Sequence, residues 1–313
     1  MNKMKLPSYG GQALIEGVMM RGSHFVAVAM RSPSGEILTR SEDLTGIYQS
    51  NIKNIPFVRG LILLWDSLVL GTRYLTVAAN MQTGSDEKIE GPIFYITMLA
   101  SIGIAVGLFF VVPAAIGQWI AGIMKWNSWV SNLLEGFIRL FLIIGYIWGV
   151  GKIPDIQRVF SYHGAEHKTI NAFEAGAELT PTSAMQFSVE HPRCGTAFLL
   201  TIVLLSIILF SLLGPLPILW RLTSRVLLIP VLAGLSYEYI RWTANHLDSR
   251  FVQILIRPNL ALQHLTTRQP DMGMLEVAIT AFNTMYSLEN SNKPVLVNFQ
   301  KPIEQIPSNV NDY

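Results

Sequence analysis

The apolar and polar positions divide the chain into a polar front, an apolar middle and an amphipathic end. Residues 91–124 contain no Asp, Glu, Lys or Arg. About 20 apolar residues span a bilayer, so this block predicts one long tilted helix, or a span followed by a re-entrant piece. Pro113 is the expected breaking point, because proline removes a backbone donor and clashes one turn back. Residues 196–220 form a second uncharged block, with Pro215 and Pro217 expected to end its helix early. Residues 133–151 are apolar except for Glu135 and Arg139. Those two stand four apart with the acid first, the favourable order for a helical ion pair, and pairing lowers the cost of burying either charge. Residues 226–240 give a short fourth block that carries Glu238.

The flanking segments have other periods. Residues 24–43 read as a β-hairpin: His24 to Arg31 as one strand, Pro33, Ser34 and Gly35 as the turn, and Glu36 to Glu42 as the return strand. Residues 57–75 read as an apolar helix with Arg59, Asp66 and Arg73 seven apart, a narrow charged stripe that suits an interfacial or bundle-packed helix. Residues 271–289 read as an amphipathic helix, and the polar, proline-interrupted stretch from 290 to 313 as a flexible tail. The expected fold is therefore mostly α: a polytopic membrane protein with about four transmembrane helices and a small N-terminal β-hairpin element. The expected organisation is a cytosolic N-terminal region (1–90), a membrane domain (91–240) with a cytosolic loop at 152–195, a cytosolic helical region (241–289) and the tail. No internal repeat is visible.

Composition supports this reading. Of 313 residues, 50% are hydrophobic and 14% charged, against about 25% charged in an average soluble domain. Mean hydropathy is +0.38. Extensive disorder is excluded, and the composition argues against an ordinary soluble enzyme. A net charge of +2 argues against nucleic acid as a partner, which leaves membrane lipids and a substrate of unassigned identity. Four spans put both termini on one side, together with Lys88, Lys152, Arg158, Lys168, Arg193, Arg241, Arg250 and Arg257; Lys125, Arg221 and Arg225 fall on the other. That imbalance puts the termini and the central loop in the cytosol. The first 25 residues lack the apolar core of a cleavable signal peptide.

The most informative segment is the H-x-x-E-H pattern formed by His163, Glu166 and His167. On a helix all three share one face within roughly a 100° arc. Two imidazoles one turn apart can bind one zinc ion, with a carboxylate beside them to accept a proton from water. A second segment, Glu190 to Thr196, adds His191 and Cys194. Pro192 suits a first helical position, so a helix is expected to start there and hold Cys194 in its first turn, where the N-terminus favours a thiolate. Three of the six histidines and the single cysteine lie within residues 163–194. Glu174 is a poor additional ligand, about 10.5 Å along a continuous helix from His167. Three readings stay open: a metal held by His163, His167, His191 and Cys194 with Glu166 beside it, zinc being the ion that suits mixed His/Cys donors; a cysteine nucleophile activated by a histidine; and hydrogen-bonded histidines with no metal. Four protein ligands make a closed, structural site. Three ligands with Glu166 free make an open, hydrolytic one.

Gly10 to Gly22, the block from Tyr162 to Asn171, the block from His191 to Thr196, and Leu265 to Arg268 resemble, in order, the hallmark motifs of the YqhQ-like membrane proteins. The resemblance covers residues 10 to about 288. It implies a bacterial multi-pass membrane protein with a predicted metal-dependent activity, and no substrate comes with it. The chain departs from the family at Ala172 and Phe173, where many relatives carry a nearby Cys or Tyr. The N-terminal motif itself suggests tight turns or close helix contacts at its glycines. Glu16 and Arg21 are candidates to pair, and Glu238 is a candidate partner for Arg21 or the metal site. A metal-dependent hydrolase, a metal-stapled scaffold or assembly factor, and a transporter using Glu135, Arg139 and Glu238 are the functions these residues admit.

Overall fold

A computed structural model describes residues 9–44, 55–83, 91–214 and 216–291. It is mostly helical, with one small antiparallel sheet at its N-terminal end. The strands β1 (Gly10–Leu14), β2 (Gly17–Arg21), β3 (Phe25–Arg31) and β4 (Ile37–Asp43) form a meander in sequence order. The β3–β4 pair is the expected hairpin, with Arg31 opposite Ile37. The β1–β2 pair is an additional hairpin within the glycine-rich motif, with Gly11 opposite Met20. The helices are α1 (Val58–Thr83), α2 (Pro92–Val106), α3 (Val112–Met124), α4 (Ser128–Val150), α5 (Pro154–Glu174), α6 (Pro181–Ala184), α7 (Thr196–Leu212), α8 (Ile218–Leu227), α9 (Ile229–Asn245), α10 (Arg250–Thr266) and α11 (Met272–Asn290).

The sheet is buried on both faces, which is why β2 and β3 read as near-continuous apolar runs. Met19, Val26, Val28 and Met30 pack against Leu70, Tyr74 and Ala78 of α1. Val18, Met20, Ala27 and Ala29 pack against Tyr162, Ala165 and Ile170 of α5 and Leu275 and Phe282 of α11. The result is three layers: α1, the sheet, and the α5/α11 pair. Residues 292–313, which hold nearly all of the expected tail, lie outside the described residues.

Among the described residues, three helices are long and apolar enough to cross a membrane: Val58–Gln82, Tyr95–Met124 and Ser128–Val150. A fourth is possible if α8 and α9, bent by 44° at their junction, count as one span. The 17-residue α7 is shorter but apolar. Several details differ from the sequence expectation. The helix expected over 57–75 runs to Thr83 and qualifies by length and hydropathy as a span. Pro113 breaks nothing. A π-turn at Gly107–Val111 precedes it, and the proline sits in the first turn of α3, where the wider turn accommodates the missing donor. One detail follows the expectation: the helix of the uncharged block at 196–220 ends early, at Leu212, and Gly214 at φ 66° comes next. Arg221 and Arg225 do not flank the spans in solvent. They are 5% and 1% exposed, inside the helix bundle.

Candidate metal centre

The site is built on α5. Pro154 occupies the first turn, and Asp155 beside it complements the helix dipole. From Tyr162 to Ile170 nearly every residue is buried, because the sheet, α11 and the segment after α10 enclose this stretch. Gly164 permits the closest approach: a Cβ there would lie 2.0 Å from the Arg268 carbonyl oxygen. The chain leaving α10 therefore lies directly on α5, and the Arg268 N–H donates to Phe160 O at 3.0 Å.

That approach fixes the first histidine. His163 Nδ1 lies 2.9 Å from Thr266 O, and His167 Nδ1 lies 2.6 Å from Val189 O. A carbonyl can only accept, so each Nδ1 carries the proton and each Nε2 presents a lone pair. His163 Nε2 is 3.2 Å from Cys194 Sγ. His167 Nε2 is buried and has no hydrogen-bond partner. Ligand atoms of His163, His167 and Cys194 all lie within 4.8 Å of one another.

The cysteine arrives on a loop strapped along α5. Lys168 Nζ donates to Met185 O at 2.7 Å, and Asn171 Nδ2 donates to Ser188 O and Glu190 O at 2.9 Å each. Burial holds the Lys168 ammonium below its ordinary pKa. Gln263 of α10 brackets His191, accepting from its N–H and donating to its carbonyl, both at 2.9 Å. The expected helix start at Pro192 is displaced: α7 begins at Thr196. Cys194 instead closes a turn, its N–H donating to His191 O at 3.2 Å. The Thr196 N–H points to the sulfur at 3.4 Å, so a helix-start donor still faces the thiol.

The other two proposed site residues stand just outside the three-residue cluster. Glu166 is 5% exposed, with Oε2 4.0 Å from His163 Nε2. Burial raises its pKa; His163, His191 and the Gly11 N–H oppose that rise without cancelling it. A Cβ on Gly11 would lie 2.9 Å from Glu166 Cγ, so the glycine lets β1 close over the carboxylate. His191 has its ring 5.9 Å from that of His167 and its Nε2 3.5 Å from Glu174 Oε2. Burial lowers its pKa, with Glu166 opposing. Glu174 also pairs with Arg193 and belongs to that outer layer.

Sequence reasoning missed the groups that aim the ligands: the carbonyls of Thr266 and Val189, the Gln263 side chain, and the space at Gly11 and Gly164. Carbonyl partners leave no trace in residue type. The glycines did lie inside the singled-out blocks. The suggested partners are different as well. Glu16 receives Arg158 Nη2 at 2.7 Å and the Tyr162 hydroxyl at 3.2 Å. Glu238 receives Arg59 Nε at 2.7 Å. Glu135 and Arg139 form the expected pair at 2.8 Å, in a cluster separate from Glu238.

Two imidazole nitrogen lone pairs, one of them unpartnered, converge with one sulfur, a donor set that fits a soft or borderline cation such as zinc. The family model for a protein of unknown function (DUF1385) matches residues 55–288. The chain is 35% identical over 309 residues to the uncharacterized protein YqhQ of Bacillus subtilis (strain 168), with 92% of this chain and 96% of that one covered. No solved structure matches.

Proposed function

The chain belongs to the DUF1385 family, and we propose that it is a zinc-binding integral membrane protein that hydrolyses its substrate at one membrane face. The observation that carries this is His167 Nε2: a buried lone pair with no partner, beside a second lone pair and a thiol within 4.8 Å. A buried acceptor left unmatched is costly, and a cation would satisfy it. His163, His167 and Cys194 would hold the ion, and three protein ligands leave one position for a reactant. Bound there, zinc supplies Lewis acidity.

The chain's own residues supply the rest. Thr266 O and Val189 O fix both histidine tautomers and so keep the Nε2 lone pairs available. Glu166, raised in pKa by burial, accepts a proton at its carboxylate from the attacking water and returns it to the leaving group. The Gly11 N–H and the closure of β1 hold that carboxylate in place and keep bulk water away. A peptide, an amide or a lipid-linked ester is the substrate class.

The face is the cytosolic face of the bacterial cytoplasmic membrane. Of the three cations assigned to the opposite side, Arg221 and Arg225 are buried and Lys125 alone remains exposed. That sharpens the positive-inside asymmetry.

Purified protein is expected to carry one zinc per chain, with one sulfur ligand in its X-ray absorption spectrum. His163→Ala/His167→Ala is expected to carry none. Glu166→Gln is expected to keep the metal and lose hydrolysis; retained turnover in that variant would end the mechanism. A second reading, a metal staple without catalysis, draws on the near-complete burial of Glu166 and His167. It expects His191 to complete four protein ligands, so an oxygen ligand in the absorption spectrum decides against it. A thiol–imidazole nucleophile also fits the His163–Cys194 distance, but it leaves His167 Nε2 unexplained.

A further inference from the structure

Helix α8 is amphipathic in the inverse sense to a helix on a soluble protein. Leu219, Trp220 and Leu227 are 71%, 64% and 67% exposed, while Arg221 and Arg225 are buried. An apolar outer face with cations turned inward is the arrangement a lipid surrounding requires. The two arginines join Arg139 of α4 around one carboxylate. Glu135 receives Arg139 Nη2 at 2.8 Å, Arg225 Nη2 at 2.8 Å and Arg221 Nη2 at 3.1 Å.

The charges do not balance. Guanidinium groups stay protonated in proteins, so three arginines and one glutamate hold a formal +2. Among the described residues, Glu135 is the only carboxylate that contacts them. The remaining partners are neutral: Phe109 O and Ser206 Oγ for Arg139, Asn132 Oδ1 and Ser224 Oγ for Arg225, Ser131 Oγ and Gln118 Oε1 for Arg221, and the Phe110 and Phe210 rings that face Arg139 and Arg225. They satisfy hydrogen bonds without supplying charge, and an uncompensated charge in a low-dielectric interior is unfavourable. Arg221 carries a second sign of incompleteness. Its side chain is 6% exposed, yet its Nε is buried with no acceptor. It sits at the outer edge of the cluster, where its Nη1 meets the half-exposed Gln118.

Position narrows the ligand. Along α4, Glu135 lies about 10 Å from the Ser128 end and about 22 Å from the Val150 end. The candidate metal centre adjoins the Val150 end, so this cluster belongs to the opposite half of the bundle. A depth of about 10 Å is within reach of a headgroup in that leaflet and of a solute entering from that side.

We propose that Arg221 and Arg225, at the α3–α8 edge, form a binding site for a phosphate-type oxyanion that supplies the missing negative charge. A planar guanidinium offers parallel N–H donors matched to phosphate oxygens, and the buried, unpartnered Nε of Arg221 is the donor the anion would engage. The ligand is either the phosphate of a phospholipid or a free phosphate. The site is independent of the metal centre, and its test needs no enzymatic activity.

The full chain, purified in mild detergent and stripped of lipid, is titrated separately with phosphatidylglycerol, diacylglycerol and sodium phosphate. Native mass spectrometry counts bound molecules, and the thermal unfolding midpoint is followed in parallel. The expected result is one phosphate-bearing ligand per chain with a raised midpoint. Binding of phosphatidylglycerol but not sodium phosphate assigns the lipid as source, and binding of sodium phosphate assigns the solute. Arg221→Gln is expected to weaken binding about tenfold, the loss of one charge-assisted hydrogen bond. Arg221→Lys keeps the charge but removes Nε, and is expected to weaken it similarly, with the unfolding midpoint of the ligand-free variant showing that it is folded. No response to either phosphate probe in the wild type overturns the proposal, as does a diacylglycerol response equal to that of phosphatidylglycerol, or equal binding by both variants and wild type.

Discussion

Two polar clusters buried among the described residues are chemical opposites. Near the α5–α7 corner, the ligand atoms of His163, His167 and Cys194 converge, and the two imidazole Nδ1 protons are donated to backbone carbonyls. In the bundle, Arg139, Arg221 and Arg225 turn N–H groups toward a single glutamate and outnumber it. One cluster has an acceptor without a donor, at His167 Nε2; the other has a donor without an acceptor, at Arg221 Nε. Unmatched groups of opposite kind are what the two proposals rest on, a cation for the first and an anion for the second. The surroundings differ too. The first cluster sits among loop straps and an α/β layer. The second sits under helices whose outer faces carry Trp119, Phe141 and Leu212, all more than two-thirds exposed.

The largest effect is expected in the charged cluster. Glu135→Gln removes the carboxylate that all three arginines share. Losing one member of a buried ionic group leaves uncompensated charge and costs about 3–5 kcal/mol. The expected outcome is little folded protein in detergent extracts, followed by size-exclusion chromatography and thermal unfolding. Stability within about 1 kcal/mol of wild type would mean that Glu135 is not what holds the arginines.

The histidine cluster is expected to respond to metal rather than to charge. A ligand bound only by the folded state, at 1,000 times its dissociation constant, adds about 4 kcal/mol. Chelation should therefore lower the wild-type unfolding midpoint and leave His163→Ala/His167→Ala unchanged. Equal midpoints for chelated and zinc-loaded wild type would remove the cation from the comparison. Glu135→Gln should keep its metal if it can be purified, since the two clusters lie at opposite halves of the bundle.

How far the sequence revealed these clusters follows from the range of the interactions. The Glu135–Arg139 pair, the β3–β4 hairpin and the final helix were legible because each rests on spacing within a few residues or one turn. The apolar blocks gave most of the candidate spans, because hydropathy is summed locally. The break at Pro113 failed because the preceding π-turn is a backbone adjustment with no residue signature. Helix α1 was read as interfacial or bundle-packed from its stripe of Arg59, Asp66 and Arg73; the partners of Arg59 and Arg73, Glu238 and Glu42, come from distant segments. Arg221 and Arg225 were read as flanking charges for the same reason: their partner is about ninety positions away. The β1–β2 hairpin was hidden because its glycines admit many conformations, and the choice among them is made by Glu166, Met19 and the helices that cover the sheet. Of the site, the residue types were legible and the aiming carbonyls were not.

A moderate effect should link helix packing to the first cluster. Gly164→Ala places a Cβ about where the Arg268 carbonyl oxygen now sits, 2.0 Å away. Overpacking of this kind costs about 1–3 kcal/mol. It also pushes back the segment that carries Thr266 O, the group that orients His163. Zinc affinity should fall by about 10–100-fold, the usual penalty for disturbing a group behind a metal ligand. Gly149→Ala is the control, because nothing lies within 4 Å of its added Cβ; it should bind zinc like the wild type. Equal affinities for the two variants would separate His163 from the α10–α11 segment.

The smallest effect tests an ion pair that shares α5 with the first cluster but has access to water. The Arg158 side chain is 55% exposed and that of Glu16 is 20% exposed. Hydrogen bonding to Arg158 holds the Glu16 carboxyl below its ordinary value of 4.5, with partial burial opposing. A carboxyl whose pKa is lower in the folded chain than in the unfolded one adds stability above the unfolded value. That contribution disappears as pH falls through the folded value. At this exposure solvent screening limits it to at most about 1 kcal/mol. Wild type should therefore exceed Glu16→Gln in stability at neutral pH, and the gap should close below about pH 4.5. Glutamine keeps the size of the side chain at a residue whose φ is 52°, so backbone strain is equal in the two proteins and cancels. A gap that persists unchanged to about pH 3 would mean that Glu16 acts through the turn rather than through its charge. Solvent would then account for nothing in the contrast between this pair and the sealed arginines around Glu135.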